Sequence, residues 1–415
     1  MIHSSYYQPR VFPLYGDVAP AEIDRAQAID PTTTLNREKV EEIGRDGVVG
    51  YKKGSPTVAY RLTQLEYGSM EFFRKITNKE DSVTTITLAD FKTPAFDVCA
   101  YLTDDDGTFL GTKVYPKLRT SGFSVNIADP DAIIERSFDF VGEEAFDLQG
   151  NNKYYIYETK TCASGSDDEV DLSARPPVAD PDVDGGATDE EKFIYRVVRV
   201  TSAGVSTELT VTTDYTYSDS TKVLTLASVA TDDVIKVWYS SGTAPATLFT
   251  NNDADATAIS ADSCSIYLYI PASGKPSSSD YIYRLQSVTI DVTFEREDLK
   301  EIGNKRVVQR GVTDQTVSVT LGEILESFTV EEVLAGQASG YGKIDVENLT
   351  DSATLIVKVF EDNTKSTFKY GFKAEGLSPT ELRGGAGVNA YVTKESTIEG
   401  ESLTITTDNS ELGSL

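Results

Sequence analysis

Histidine is almost absent from this sequence: His3 is the only one in 415 residues. That excludes a serine–histidine triad, a histidine-rich zinc site and most histidine acid–base chemistry. Cysteine is nearly as scarce. Cys99, Cys162 and Cys264 stand far apart, with neither metal-ligand spacing nor a disulfide framework. They read as buried thiols, with a Cys162–Cys264 bridge as the alternative. No apolar run approaches the roughly 20 residues of a membrane-spanning helix. The opening stretch, MIHSSYYQPRVFPLYGDVAP, lacks the apolar core of a secretory leader, so none is expected. Positive charge is also short: 38 Lys and Arg stand against 66 Asp and Glu, a net charge of -28. Such a surface repels phosphates and anionic lipid, so neither stable DNA wrapping nor a membrane partner is expected. A wall that DNA slides past is compatible with this charge, as is plain solubility, including in high salt.

Chemical motifs are equally sparse. DDDG at Asp104–Gly107 resembles the start of a calcium loop, but Gly falls fourth and no carboxylate follows at position twelve, so it reads as a hairpin turn. DPDVDGG at Asp180–Gly186 reads as solvated linker, with weak cation binding as the alternative. The glycine-rich AGQASGYGK (335–343) and RGGAGV (383–388) lack both phosphate-loop and dinucleotide spacing. Carboxylate pairs are what an acidic chain contains by chance, so no glycosidase dyad is assigned. Asn348–Thr350 is the one glycosylation sequon, relevant only where glycosylation occurs. The 22 tyrosines suit either interface anchors or cross-strand packing. No catalytic, cofactor-binding or metal residues are expected, and the chain is not expected to be an enzyme.

What the chain has is a repeat. LNREKVEEIG at Leu35–Gly44 returns as FEREDLKEIG at Phe294–Gly303, 259 positions on. Aligned without gaps at that shift, residues 25–62 and 284–321 share 13 identities in 38 pairs, where composition alone gives roughly two or three. The echo includes Arg37/Arg296, Glu38/Glu297, Glu42/Glu301, Ile43/Ile302 and Gly44/Gly303. It continues as pattern. TVAYRLTQLEYG (57–68) and TVSVTLGEILES (316–327) read as strands, each followed by a short helical stretch. There Phe72 and Ile76 align with Val330 and Leu334, an apolar i, i+4 pair able to lie on a sheet. Ser69 and Ser327 are candidate N-caps, and Gly336 a candidate stop. A hairpin follows in each copy, at 96–118 and 353–374. The closing strands are expected at 132–142 and 153–160 in the first copy, and at 388–400 and 402–408 in the second.

The middle differs. Residues 161–191 are acidic and rich in Pro, Gly, Ser and Asp, a linker composition. Residues 193–240 alternate short β runs with turns. The expected organisation is a first unit at 1–160, a linker at 161–191, an inserted all-β domain at 192–271, a second linker at 272–280 and a second unit at 281–415. The fold class is mainly β with minor α content: two tandem β-sandwich or barrel units, each with one short helix, and a small all-β insert.

The repeated polar stretch reads as a loop between strands. Core strands need only a pattern to persist, so a polar segment that keeps Arg, Glu, Ile and Gly suggests that both copies touch the same kind of surface; residual similarity after duplication is the alternative. A β-rich unit with one short helix and a long polar loop, present twice, resembles the tail tube proteins of tailed viruses, over about 1–160 and 281–415. The resemblance rests on element order and duplication. It implies a structural virion protein, made in the host cytoplasm. It would form homotrimeric, pseudo-hexameric rings stacked into a hollow conduit for viral DNA, with an immunoglobulin-like insert on the exterior. The implied partners are further copies of the chain, other tail proteins (tape measure, terminator, baseplate) and DNA in transit. The ring-stacking loops would fall on Arg37, Glu38, Glu42, Ile43 and Gly44, and on Arg296, Glu297, Glu301, Ile302 and Gly303. Charge reversal at Arg37 and Arg296 is then expected to impair stacking more than folding. A baseplate hub, tail terminator or decoration protein is the nearest alternative, and a secreted adhesin or carbohydrate-binding protein the next.

Overall fold

The computed structural model describes residues 6–23, 25–41, 48–104, 106, 108–129, 131–183, 186–245, 258–270, 282, 285–299, 307, 309–324, 329–335, 349, 352–385 and 393–413. The chain is mainly β, with three short α-helices among these residues. The first unit holds β1 (Tyr6–Pro13), β2 (Ala21–Glu22), β3 (Ala26–Thr34), β4 (Arg37–Glu41), β5 (Val48–Lys53) and β6 (Thr57–Leu65). Helix α1 (Glu71–Ile76) follows, then β7 (Thr85–Thr87), β8 (Phe96–Thr103), β9 (Phe109–Ala128), β10 (Glu135–Gly142) and β11 (Phe146–Leu148). The insert holds β12 (Tyr154–Thr161), β13 (Glu169–Asp171), α2 (Asp189–Phe193), β14 (Ile194–Val200), β15 (Ser206–Glu208), β16 (Tyr215–Ser218), β17 (Val223–Leu226) and β18 (Val234–Ser241). The second unit holds β19 (Cys264–Tyr269), β20 (Leu285–Leu299), β21 (Gln309–Ile324), α3 (Thr329–Leu334), β22 (Ala353–Phe360), β23 (Phe368–Gly385), β24 (Thr393–Gly400) and β25 (Ser402–Thr406).

Alternation builds the main sheet. In β6 the residues Val58, Tyr60 and Leu62 turn inward, and in β10 Phe138 and Phe140 do the same, as a half-buried strand requires. The inward row runs Leu62, Phe138, Phe123, Val292, Val317 across five strands. Helix α1 has six residues, too few to persist alone; Phe72, Phe73 and Ile76 anchor it in the core. Phe73 meets Phe91, Phe123, Phe138 and Phe372 edge-on, so it ties the units together. The expected apolar pairs are in place: Val330 and Leu334 of α3 are buried as Phe72 and Ile76 are. Ser69 Oγ accepts a hydrogen bond from Glu71 N at 3.1 Å, one position ahead of the N-cap, Met70. Ser327 and Gly336 lie outside the described residues.

The two units share register as well as order. In the first, Ala26 pairs with Gln64, a bulge follows, and pairing resumes at Ala28 with Thr63. In the second, Leu285 pairs with Glu323, a bulge follows, and pairing resumes at Ser287 with Gly322. Each partner is 259 positions on. Strands β9 and β10 slip between Asp139–Gly122 and Phe140–Thr120; β23 and β24 slip at the matching Thr397–Glu381 and Ile398–Pro379. The far end of β8–β9 breaks between Leu102–Gly111 and Thr103–Phe109, and β22–β23 between Val359–Tyr370 and Phe360–Phe368. Bulges are specific local features that re-aim a strand, so matched bulges say more than matched strand order.

Pairing moves three expected boundaries. Strand β12, expected to close the first unit, pairs with β18 in the insert, and β11 closes the unit against β9. Strand β19, expected in the insert, lies beside β22 with Cys264 opposite Val359. That is the place β1 takes beside β8. Segment 161–191, expected as linker, supplies β13, the capping box of Thr188 and Glu191 that starts α2, and Cys162, Val170 and Leu172 to the insert's core. All three cysteines are buried and free. The second expected linker, 272–280, lies outside the described residues.

The insert is a sandwich of a four-stranded sheet, β12-β18-β14-β15, and a three-stranded one, β13-β17-β16. Strand β18 is buried along its whole length, because one face lines the sandwich core and the other packs on the first unit. Trp238, Val234, Val198 and Tyr155 meet Phe12, Cys99 and Val114 there. At the centre Arg196 Nη1 donates to both oxygens of Asp97, at 3.1 and 3.0 Å, while Tyr155 Oη donates to the same carboxylate at 2.6 Å. Burial of a carboxylate requires such partners.

Candidate assembly surfaces

Over Arg37–Glu41 and up to Leu299 the repeated polar segment is strand, not loop. In the first unit, β4 and β5 form a two-stranded arm, with Arg37 opposite Lys53 and Glu38 opposite Lys52. In the second, β20 and β21 run past the main sheet as a continuous hairpin, with Arg296 opposite Val312 and Glu297 opposite Gly311. The register is again the same at a shift of 259. Glu42, Ile43, Gly44, Glu301, Ile302 and Gly303 fall outside the described residues. Glu38 makes an exposed ion pair with Lys52 at 3.5 Å, and Glu297 is exposed.

Arg37 and Arg296 have different surroundings. Arg37 is exposed. Arg296 donates to three backbone carbonyls of the first unit: Nε to Thr120 at 2.7 Å, and the two terminal nitrogens to Lys92 at 3.0 Å and Phe91 at 2.9 Å. The planar fork of arginine suits this task. Burial, with Arg119 and Arg310 nearby, lowers its pKa to about 10. The expectation that Arg296 stands ready for an outside partner is therefore corrected: it is a strut between the two units. The available sequence signal was Phe294, an aromatic in a charged stretch. Its ring stacks on Phe91 at 5.8 Å and is 2% exposed.

These contacts flank one strand pairing. Strand β20 lies antiparallel to β9, from Ser287 opposite Ala128 to Thr293 opposite Gly122. Val288, Ile290 and Val292 are buried behind it. Gly122 permits the approach, since a Cβ there would lie 2.7 Å from the Val292 carbonyl oxygen. The arm adds Val307 N donating to Glu143 at 3.0 Å.

A buried polar cluster holds the units together deeper in. Arg136 reaches Glu66 at 3.2 Å and Gln64 at 2.9 Å, and Tyr370 of the second unit donates to Glu66. Desolvation works against the charge, but attraction from Glu66 together with Tyr370 and Tyr67 more than offsets it, and the guanidinium stays protonated. Lys394, at the matching place on β24, pairs with Glu323 at 2.9 Å.

The opposite face of the main sheet is polar. Asp30, Arg61 and Asp139 form one cross-strand row, and Ser137, Ser124, Asp291, Ser318 and Glu399 the next. Arg61 and Asp139 approach to 3.8 Å. Acid exceeds base on this face, so it repels phosphate.

Fold and surfaces define a β-rich protein of two register-matched units and a docked β-sandwich, with three cysteines but no cluster of metal-ligating side chains among the described residues. Compared with known proteins, the chain matches no family model, and no curated protein is similar to it in sequence.

Proposed function

We propose that this chain is a structural subunit that closes head to tail into trimeric, pseudo-hexameric rings, and that the rings stack into a hollow tube of the kind found in viral tails. One observation carries the reading. Two strand pairings join the units, β9 against β20 and the short β7 against β25, and the matching halves of the β9–β20 pairing have no such partner strand among the described residues. Strand β3, the counterpart of β20, is the last strand in the sheet order. On β23, residues 382–385, the counterpart of the β9 stretch, pair only with β24 among the described strands. A head-to-tail contact of this type is heterologous, and it generates a ring when the rotation closes. Closure also removes exposed sheet edges, which otherwise recruit stray strands. The acidic face would line the bore, where repulsion lets DNA pass without sticking. The insert docks on the other side of the first unit, clear of that face. No catalysis is assigned.

Negative-stain electron microscopy of the purified chain over a range of protein and salt concentrations tests this. Rings or periodic hollow tubes are the expected result. A chain that stays monomeric throughout overturns it.

A further inference from the structure

The internal junction has two parts that its counterpart lacks in the free chain. Phe294 and Arg296 are a plug seated on the first unit, through the Phe91 ring and the carbonyls of Phe91, Lys92 and Thr120. Leu35 and Arg37 are the same plug by register, and they are unseated. Leu35 is 58% exposed where Phe294 is 2% exposed, and Arg37 is exposed. A large apolar side chain near a cation, just past the end of an edge strand, is what an unoccupied interface anchor looks like. The socket has a counterpart too. The bulge on β9 that presents the Thr120 carbonyl recurs on β23 at Pro379, and Leu382, in the place of the buried Phe123, is only half-buried.

We infer that β3 of one copy adds to the 382–385 edge of β23 in the next copy, antiparallel, with Leu35 packed beside Leu382 and Arg37 donating to the Pro379 carbonyl. The inference rests on the head-to-tail reading and gives it a register. Transferring the internal pairing places Asp30 opposite Gly385, Pro31 opposite Gly384, Thr32 opposite Arg383 and Thr33 opposite Leu382. Asp30 and Arg383 then lie diagonally on one face with opposite charges. Pairing stops before Glu381, which carries a Cβ where the internal junction has Gly122. Pro31 lacks a donor and sits on an edge strand, where proline is tolerated and discourages unspecific pairing.

The test introduces Thr32→Cys and Arg383→Cys together in the full chain. The native cysteines are buried and do not compete. Oxidation of assembled protein is expected to give disulfide-linked multimers, which neither single variant gives. Arg37→Ala is expected to raise the concentration needed for association by about tenfold or more, with an unchanged thermal midpoint, and Arg37→Lys to fall between. Assembled protein that does not cross-link through this pair overturns the pairing. Association of Arg37→Ala at the wild-type concentration overturns the anchor. Either result leaves the ring reading standing. A wild-type chain that is monomeric at every concentration overturns both.

Discussion

Arg296→Ala separates the two arginines that the sequence presents as equivalents. Three hydrogen bonds from a charged donor, at the low end of about 1.5 kcal/mol each, sum to roughly 4–5 kcal/mol. Removing a desolvated cation from beside Arg119 and Arg310 returns about 1–2 kcal/mol. The net loss is about 3 kcal/mol, localised at the β9–β20 junction. Arg37→Ala changes an exposed side chain and should stay within about 0.5 kcal/mol. A chain of this length need not unfold in one step, so the assay should be local. Hydrogen exchange, at a concentration too low for association, reads the amides of Gly122–Asn126 and Ser287–Thr293. Where they exchange by opening of the junction, a loss of 3 kcal/mol accelerates them about 150-fold, at tenfold per 1.4 kcal/mol. Arg296→Lys, with a compact ammonium in place of the fork, should fall between. Acceleration below about threefold in Arg296→Ala, or equal acceleration in Arg37→Ala, would refute the assignment of Arg296 as a strut.

Other perturbations probe other parts. Gly122→Ala places a Cβ 2.7 Å from the Val292 carbonyl oxygen and should destabilise the same junction by about 1–3 kcal/mol, read as faster exchange of β20. Asp97→Asn strips the buried Arg196 of its carboxylate; the expected cost is about 3–5 kcal/mol, with the insert released to limited proteolysis between Leu148 and Tyr154 before either unit is cut. Lys236 donates to the Val18 carbonyl at 3.3 Å, and burial lowers its pKa to about 8. The unfolded chain keeps this lysine protonated to about pH 10.4, so between those values the unfolded state binds more protons and stability rises with pH. Wild type should therefore gain stability relative to Lys236→Met between pH 8 and 9.5 in thermal unfolding; no relative change would refute the burial argument.

Alternation made the inner strands legible, and self-comparison made the repeat legible, because both are carried by the residues themselves. Partner choice was not legible. KYYIYETK has the pattern of a strand whichever sheet receives it, and it joined the insert because Ile156 faces the insert's core while Tyr155 and Tyr157 face the cluster shared with the first unit. The acidic stretch 161–191 reads as linker by composition. Its carboxylates instead fasten tight turns, as when Asp167 accepts from Ala163 N at 2.8 Å and Asp171 from Ser173 N at 2.8 Å. The arms read as loops in the sequence because their charged residues show no apolar alternation. At Arg296 the identity with Arg37 pointed to a common outside role. The seat that tells them apart comes from strand β9 and residues 91–92, distant in sequence.

A chain that holds two register-matched units is its own comparison. Where matched positions differ in burial, the difference marks a neighbour that one unit has and the other lacks. On β20 the inward residues are Val288, Ile290 and Val292, all buried; on β3 the matched residues are Ile29, half-buried, and Pro31 and Thr33, both exposed. The difference between Val-Ile-Val and Ile-Pro-Thr has a physical direction. The internal junction forms within one chain and is never exposed to water in the folded protein, so apolar residues suit it. On the head-to-tail reading proposed above, an edge that stays open until a second copy arrives cannot be equally apolar without recruiting wrong strands. Proline and threonine lower that hazard, and on the same reading they would weaken each contact and leave more of the association to Leu35 and Arg37. If that division holds, replacing Pro31 by Ile should strengthen association and increase disordered aggregation together, both measurable by light scattering. A variant that associates more tightly with no added aggregation would mean that the edge is not held polar for this reason.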